Sequence, residues 1–420
     1  MHPASRLADN VPFRRLWTAR VVSRFGSALS YVVLLWITFA ATGSALAVAY
    51  VGLAEFVPTV ALGILSGAVV DRFDRRRVVV VSVLGRGAAM AGLVVVLGLL
   101  GFRLVAVVAA AGVFSVLATY FGPGSQALLP EIVRREHLAD ANGLFESSEA
   151  VAGIVGMGLA GLLLVTVGPL PGLAVDAGAY LVAGLLVLAI GATAAGPPAA
   201  AAEGLLRQVR DGLAYLRRAV GLLEVTLASL VLNFLFSLVL TFLVVYVVDV
   251  LRGTALEYGV LEGLLAAGWG LGGLAAGRRG LPRHTGRLWV AAGFVQGTIV
   301  LALVLVPVVP VALGLFFLVG VGEGILNVTL QSTVQATVPE RLQGRFFATD
   351  TAISYASIPA AQLAGGLLIV VAGVPFTFAL AGVGSLAAGA ALLPLREIRR
   401  VGYDPRAATP EGAAPRSGSR

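Results

Sequence analysis

Residues 45–77 read ALAVAYVGLAEFVPTVALGILSGAVVDRFDRRR. Twenty-six residues, 45–70, hold a single charged side chain, Glu55, and the next seven hold six charges. A helix of about 20 residues crosses the ~30 Å hydrocarbon core of a bilayer, so the apolar part is long enough to span it. The Arg cluster then fixes the helix end at the water surface. Strands of membrane barrels need only ~9–11 residues, so runs of this length point to helices.

The same alternation of greasy run and charged loop continues along the chain. The 420 residues are 58% hydrophobic and 12% charged, with a mean hydropathy of +0.94. Soluble globular chains carry about 25% charged residues, so a soluble enzyme, a disordered chain and a disulfide scaffold are excluded. Cysteine is absent, which removes thiolate metal sites and disulfides. His2, His137 and His284 fall in expected tails or loops, leaving no metal cluster and no implied cofactor.

Twelve spans are expected, over 13–41, 45–70, 78–100, 103–128, 141–166, 171–194, 225–250, 255–277, 287–308, 310–336, 344–371 and 374–394. The formal charge is +8, and every one of the 30 basic residues is Arg. These Arg flank spans, which argues for membrane orientation and against nucleic acid. They crowd the N-terminus, 72–77, 134–135, 207–218, 278–287, Arg341 with Arg345, and the tail from Arg396, whereas the alternate loops carry only Arg103 and Arg252. The positive-inside rule then puts both termini in the cytoplasm and the chain in the plasma or inner membrane. A cleaved signal peptide is disfavoured, because Arg20 and Arg24 interrupt the first run.

The expected organisation is an all-α polytopic protein of two pseudo-symmetric six-helix bundles. Residues 1–194 form the first bundle, 195–224 a linker with a basic amphipathic helix, 225–394 the second bundle, and 395–420 a tail without fixed structure. Weak internal echoes support the duplication. Gly43-Ser44-Ala45-Leu46 matches Gly253-Thr254-Ala255-Leu256, Gly67 matches Gly277, and Gly161-Leu162-Leu163 matches Gly366-Leu367-Leu368.

The loop Gly67-Ala68-Val69-Val70-Asp71-Arg72-Phe73-Asp74-Arg75-Arg76-Arg77 resembles the signature loop of the major facilitator superfamily, with Asp74 where many members carry Gly. Phe13-Arg14-Arg15-Leu16-Trp17, Thr42-Gly43-Ser44, Leu128-Leu129-Pro130-Glu131 with Asn142, and Val338-Pro339-Glu340-Arg341-Leu342-Gln343-Gly344-Arg345 resemble its macrolide-efflux and enterobactin-exporter branch. The resemblance implies two halves rocking about a central site, with Asp71, Arg72, Arg75 and Arg76 holding the cytoplasmic side shut. Asp71 can face the positive N-terminus of span eleven near Gly344. In span five, Gly156 is followed by Met157 where the antiporter signature has Pro.

A charge at mid-span costs about 2.5–3.5 kcal/mol on the insertion scale, so each one needs a reason. Glu55 and Glu262 lie at similar depths in spans two and eight. Glu149 sits in span five, three residues after Glu146. Glu323, Asn327 and Gln331 form a polar stripe on span ten, and Asn233 lies in span seven. A carboxyl in a low-dielectric site can load and release a proton, which makes Glu55, Glu149, Glu262 and Glu323 candidates for proton coupling. Asn327 and Asn233 join them as cavity candidates. Arg20, Arg24, Arg86 and Glu146 read as structural ion-pair residues, and Asp176 as a cap near the outer end of span six.

These features point to a secondary active, proton-coupled exporter of small amphipathic molecules, working as a monomer by alternating access. Uptake or lipid-type transport, and a channel or non-transporting sensor, are the alternatives. A membrane enzyme is disfavoured, because no nucleophile–base pair or metal set falls among the spans.

Overall fold

The computed structural model describes residues 7, 9–191, 213–279 and 285–401. Most of the expected linker helix and the tail from 402 lie outside the described residues. The N-terminal half comprises α1 (Val11–Thr42), α2 (Ala45–Arg72), α3 (Arg75–Leu100), α4 (Leu104–Ile132), α5 (Leu138–Thr166) and α6 (Pro169–Leu188). The C-terminal half comprises α7 (Val220–Leu240), α8 (Ala255–Arg279), α9 (Thr285–Leu305), α10 (Val309–Thr337) and α11 (Glu340–Leu392). A short helix, Leu243–Asp249, continues α7, and α12 (Arg396–Arg400) follows α11.

Eleven of these helices are long and apolar enough to cross a bilayer. The eleventh, α11, has 53 residues, about 80 Å if straight at ~1.5 Å per residue, far more than one ~30 Å crossing needs. It breaks at Gly373, where φ is 82° and ψ 169°, a conformation open to glycine and strained for other residues. Pro375 follows. The break falls between expected spans eleven and twelve, so α11 is long enough for two crossings, which makes twelve among the described residues.

Local chemistry sets the helix starts. Asn10 accepts from the Phe13 amide at 3.0 Å, with Pro12 in the first turn of α1. Ser44 caps α2 at the Ala47 amide, 3.3 Å away. Thr254, its counterpart in the internal echo, precedes α8, and Glu257 reaches back to accept from its amide at 2.6 Å and from its hydroxyl. Asp74 accepts from the Arg77 amide at 3.0 Å and so starts α3.

Within the N-terminal half, α1 packs on α5 and α6, α3 on α4 and α6, and α2 on α4. In the C-terminal half, α11 packs on α7 and α9, and α8 on α10. The α8–α10 contact is backbone against backbone. A Cβ added at Gly268 or Gly272 would stand 2.2 or 2.1 Å from the Phe317 or Val321 carbonyl oxygen. Gly320 and Gly324 make the reciprocal approach to Leu265 and Trp269. Small residues four apart allow this close packing in lipid, where dispersion contacts drive association.

Two crossings join the halves, α5 on α8 and α2 on α11. Gly161 lies against the Ala255 carbonyl and Gly259, and Gly366 against Leu46 and Ala49. These contacts sit at the Arg-poor end of the molecule. Trp36 of α1 stacks on Tyr258 of α8 nearby, with ring centroids 6.1 Å apart. Towards the Arg-rich end, Gly67, Gly143, Gly277 and Gly344, one on each of the four crossing helices, have open space beside them. Among the described residues the halves therefore meet at the Arg-poor end and stand apart at these four glycines towards the Arg-rich end.

The chain after 395 departs from the structureless tail expected from sequence. Ile398 of α12 is fully buried in a small apolar core with Leu216, Trp289, Val338 and Phe346. Its amide donates to a Glu224 carboxylate oxygen, and the Gly286 amide donates to the Val401 carbonyl at 3.1 Å. The apolar Ile398 gains more by this burial than a solvated tail would.

Replacing Gly272 by Ala should cost about 1–3 kcal/mol through overpacking against Val321. A thermal melt in detergent reads this as a lowered midpoint. Gly270→Ala, which meets open space, should melt like the parent.

Candidate functional site

Glu55 and Glu262 come from opposite halves, and two tyrosines interact electrostatically with both. Glu55 on α2 is half-buried, and Glu262 on α8 is buried. Tyr31 of α1 lies within electrostatic range of both carboxyls, and so does Tyr258, one helical turn before Glu262. Glu262 Oε1 and the Tyr258 hydroxyl are enclosed, and neither makes a hydrogen bond of normal geometry. Pro58 lacks the amide that would bond the Ala54 carbonyl. Beside it, the Ser115 and Thr59 hydroxyls donate to the Glu55 carbonyl. The backbone that carries Glu55 is thus held partly by side chains of α2 and α4.

A second polar group lies within the C-terminal half. Tyr355 of α11 is in electrostatic range of Glu323 and Asp350. Asp350 is buried and accepts from Thr226 of α7 at 2.6 Å. Gln331 donates to Asn327 at 3.0 Å, along the stripe that starts at Glu323. Asn233 donates to Ser229 at 3.0 Å, one turn away on α7.

Glu149 is ion-paired with Arg20. Arg20 also donates to Ser125 at 3.2 Å and lies 4.4 Å over the Phe145 ring. Its charge is satisfied on all sides, as burial demands. Arg24 is exposed, with its guanidinium alongside Gly153, and Glu146 is also exposed. Arg86 is buried and sits over the rings of Phe114, Phe121 and Tyr180, 5.5, 4.7 and 4.7 Å from their centroids. Asp176 is not the interfacial cap expected from its position in the sequence. It is fully buried against α1, where its Oδ2 shares a hydrogen bond with the Ser30 hydroxyl; α6 turns this residue inward, and burial there is tolerable because the carboxyl gains a polar partner.

In the α2–α3 loop, Arg75 pairs with Glu131 of α4. Arg76 donates to the Leu188 and Val187 carbonyls, and Arg15 to that of Ala189, so two guanidinium groups close the C-terminus of α6. All three contacts stay inside the N-terminal half. Arg72 is exposed, and the Asp71 side chain lies outside the described residues.

A shallow apolar groove of about 700 Å³ between α2 and α4, lined by Tyr50, Ala54, Val57, Pro58 and Val105 among others, carries no charged side chain. The polar chemistry lies in the two clusters above. Tyr258 was the component that sequence reading missed. Its spacing of four from Glu262, which puts both on one face of α8, is the signal that would have found it.

Residues 3–413 match the profile of the family described as "Transmembrane secretion effector". The chain is 28% identical over 402 residues to the multidrug efflux pump Tap of Mycobacterium tuberculosis, covering 93% of this chain and 94% of that one. It is 24% identical over 396 residues to macrolide efflux protein A of Streptococcus pyogenes, covering 93% and 97%. Among solved structures, nucleoside transporter NupG aligns with a TM-score of 0.72 at 11% identity, over 91% of this chain and 98% of that one. A bacterial homolog of the human lysosomal transporter Spinster, inward-facing and unoccupied, aligns with a TM-score of 0.70 at 14% identity, over 94% and 99%. Matched over nearly its whole length, with efflux pumps as relatives and major facilitator transporters as structural neighbours, the chain belongs to the transmembrane secretion effector family of the major facilitator superfamily and is a multi-pass membrane transporter.

Proposed function

We propose that this transporter exports small amphipathic molecules in exchange for protons, by alternating access. Residues 1–194 and 225–394 act as the two rocking bodies, 195–224 as the linker and 395–420 as the tail. The Arg-rich end and both termini face the cytoplasm of a cell whose plasma or inner membrane holds the protein as a monomer. In that orientation the state described above is open to the inside.

The observation that carries the reading is the placement of Glu55 and Glu262. Each sits on a crossing helix of a different half, around Tyr31 and Tyr258, where relative motion of the halves changes the surroundings of both. A carboxylate in such a wall needs a proton or the positive group of a substrate to balance it. The two compete for one site, which is the logic of exchange. Glu323, beside Tyr355, is the third member, with Asn327 and Asn233 as polar wall residues. Glu149 plays the structural part, since its pairing with Arg20 must break before it can carry a proton. The names of the relatives, a multidrug and a macrolide efflux protein, support the direction and the substrate class.

In proteoliposomes, Glu55→Gln and Glu262→Gln should each lower proton-driven efflux at least tenfold while leaving substrate counterflow measurable. Flux that survives collapse of the proton gradient in the parent protein would overturn the coupling. Asp71 and the α2–α3 loop act in the opposite state by holding the Arg-rich end shut. Because the chain lacks cysteine, Gly344→Cys gives a single reporter at that end. Adding Asp71→Asn should raise its labelling by a water-soluble maleimide; unchanged labelling would argue against the gate.

A further inference from the structure

The wall between α1, α3 and α6 encloses ionisable groups that the proposed exchange does not use. Ser23, Ser27 and Ser30 share one face of α1 and meet Asp176 and Tyr180, four apart on α6. Tyr180 shares a hydrogen bond with Ser27 at 2.7 Å and donates to the Ser23 carbonyl at 3.2 Å. Arg86 of α3 donates to Ser23 Oγ at 2.9 Å. Ser27, only half-buried, is the least enclosed member of this ladder.

The hydrogen-bond geometry at Asp176 bears on its protonation state. Ser30 Oγ lies within bonding distance of both Asp176 Oδ2 and the Gly26 carbonyl, 3.1 Å away. A serine hydroxyl has one proton and cannot donate to both. If Asp176 carries a proton on Oδ2 and donates it to Ser30, then Ser30 donates to Gly26, and both contacts are satisfied. An ionised Asp176 leaves one contact unmade, while its Oδ1, enclosed against Gly26, has no partner at all. Arg86 does not require the carboxylate in this state, because three aromatic faces and the Ser82 carbonyl, at 3.3 Å, already receive it.

We propose that Asp176 is a proton-binding site in the wall of the N-terminal half, distinct from Glu55 and Glu262. It is neutral in the state open at the Arg-rich end, and it ionises with Arg86 as its counter-charge. On ionisation the O–H bond at Oδ2 breaks and the proton passes to water reaching the ladder near Ser27. Among the described residues, the charged group acting on Asp176 is Arg86 of α3. Tyr180 faces it from its own helix, Arg24 of α1 acts on Tyr180, and α4 contributes only the uncharged rings of Phe114 and Phe121.

Infrared difference spectra of the substrate-free protein in lipid, recorded across pH, test this directly. The parent should show a protonated-carboxyl band that Asp176→Asn removes, with one fewer proton taken up on acidification. Glu55→Gln and Glu262→Gln should retain that band, so the result is independent of whether transport is proton-coupled. Should Asp176→Asn fail to fold, Ser30→Ala decides, because loss of the acceptor should shift the band. A band unmoved by Ser30→Ala, or proton uptake unchanged by Asp176→Asn, would make Asp176 a permanent counter-ion of Arg86 and overturn the proposal.

Discussion

Hydrocarbon does not solvate charge, and every polar feature of this protein follows from that constraint. Backbone amides are satisfied within helices, which is why the spans are helical throughout. Side-chain charges inside the spans then find a few kinds of place. Arg20 and Glu149 neutralise one another. Arg86 is received by aromatic faces, which supply negative potential without a second charge. Arg15 and Arg76 reach the last carbonyls of α6, where the helix dipole ends. Glu55, Glu262 and Glu323 have no cation beside them among the described residues. Carboxyls kept at this cost are the reason to look for function there rather than at the paired groups.

Glycine supplies the second constraint, since helices in lipid gain little from the hydrophobic effect and must touch closely to associate. The internal echo acquires a physical meaning here. Gly161 of α5 meets Ala255 and Gly259 of α8, and Gly366 of α11 meets Leu46 and Ala49 of α2. The partners on α8 and α2 lie in the matched segments that begin at Gly253 and Gly43. The two crossings are thus built alike, each with a glycine pressed against small residues or backbone of the other half.

Much of the fold was legible because length and hydropathy report directly on a crossing. The break at Gly373 was readable for the same reason, as a short interruption between two greasy runs. Rotation about each helix axis was not readable. Helices that are apolar on nearly every side carry no stripe to say which face turns inward. The rotation of α6 that turns Asp176 inward against the middle of α1 was hidden for this reason. Partner choice in the α2–α3 loop was hidden likewise: Arg75 and Arg76 meet Glu131 and Leu188, residues 56 and 112 positions away in the chain. Tyr258 is marked in the sequence only by its spacing of four from Glu262.

The two ends of the cavity are held by different physics. At the shut end, glycine and alanine backbones touch and Trp36 stacks on Tyr258, and among the described residues no ion pair joins the halves there. Dispersion contacts of this kind lose much of their attraction over less than an ångström of separation, so such a seal is either made or broken. At the Arg-rich end, Arg75 and Arg76 are already satisfied within one half, by Glu131 and by the last carbonyls of α6, and Arg72 is exposed. Tyr258 links the central site to the seal. Its ring is part of the stack, and its hydroxyl faces Glu262 one turn further along α8. On the proposed function, a change of charge at Glu262 would alter the surroundings of a side chain stacked at the Arg-poor end, with no longer pathway needed to connect them.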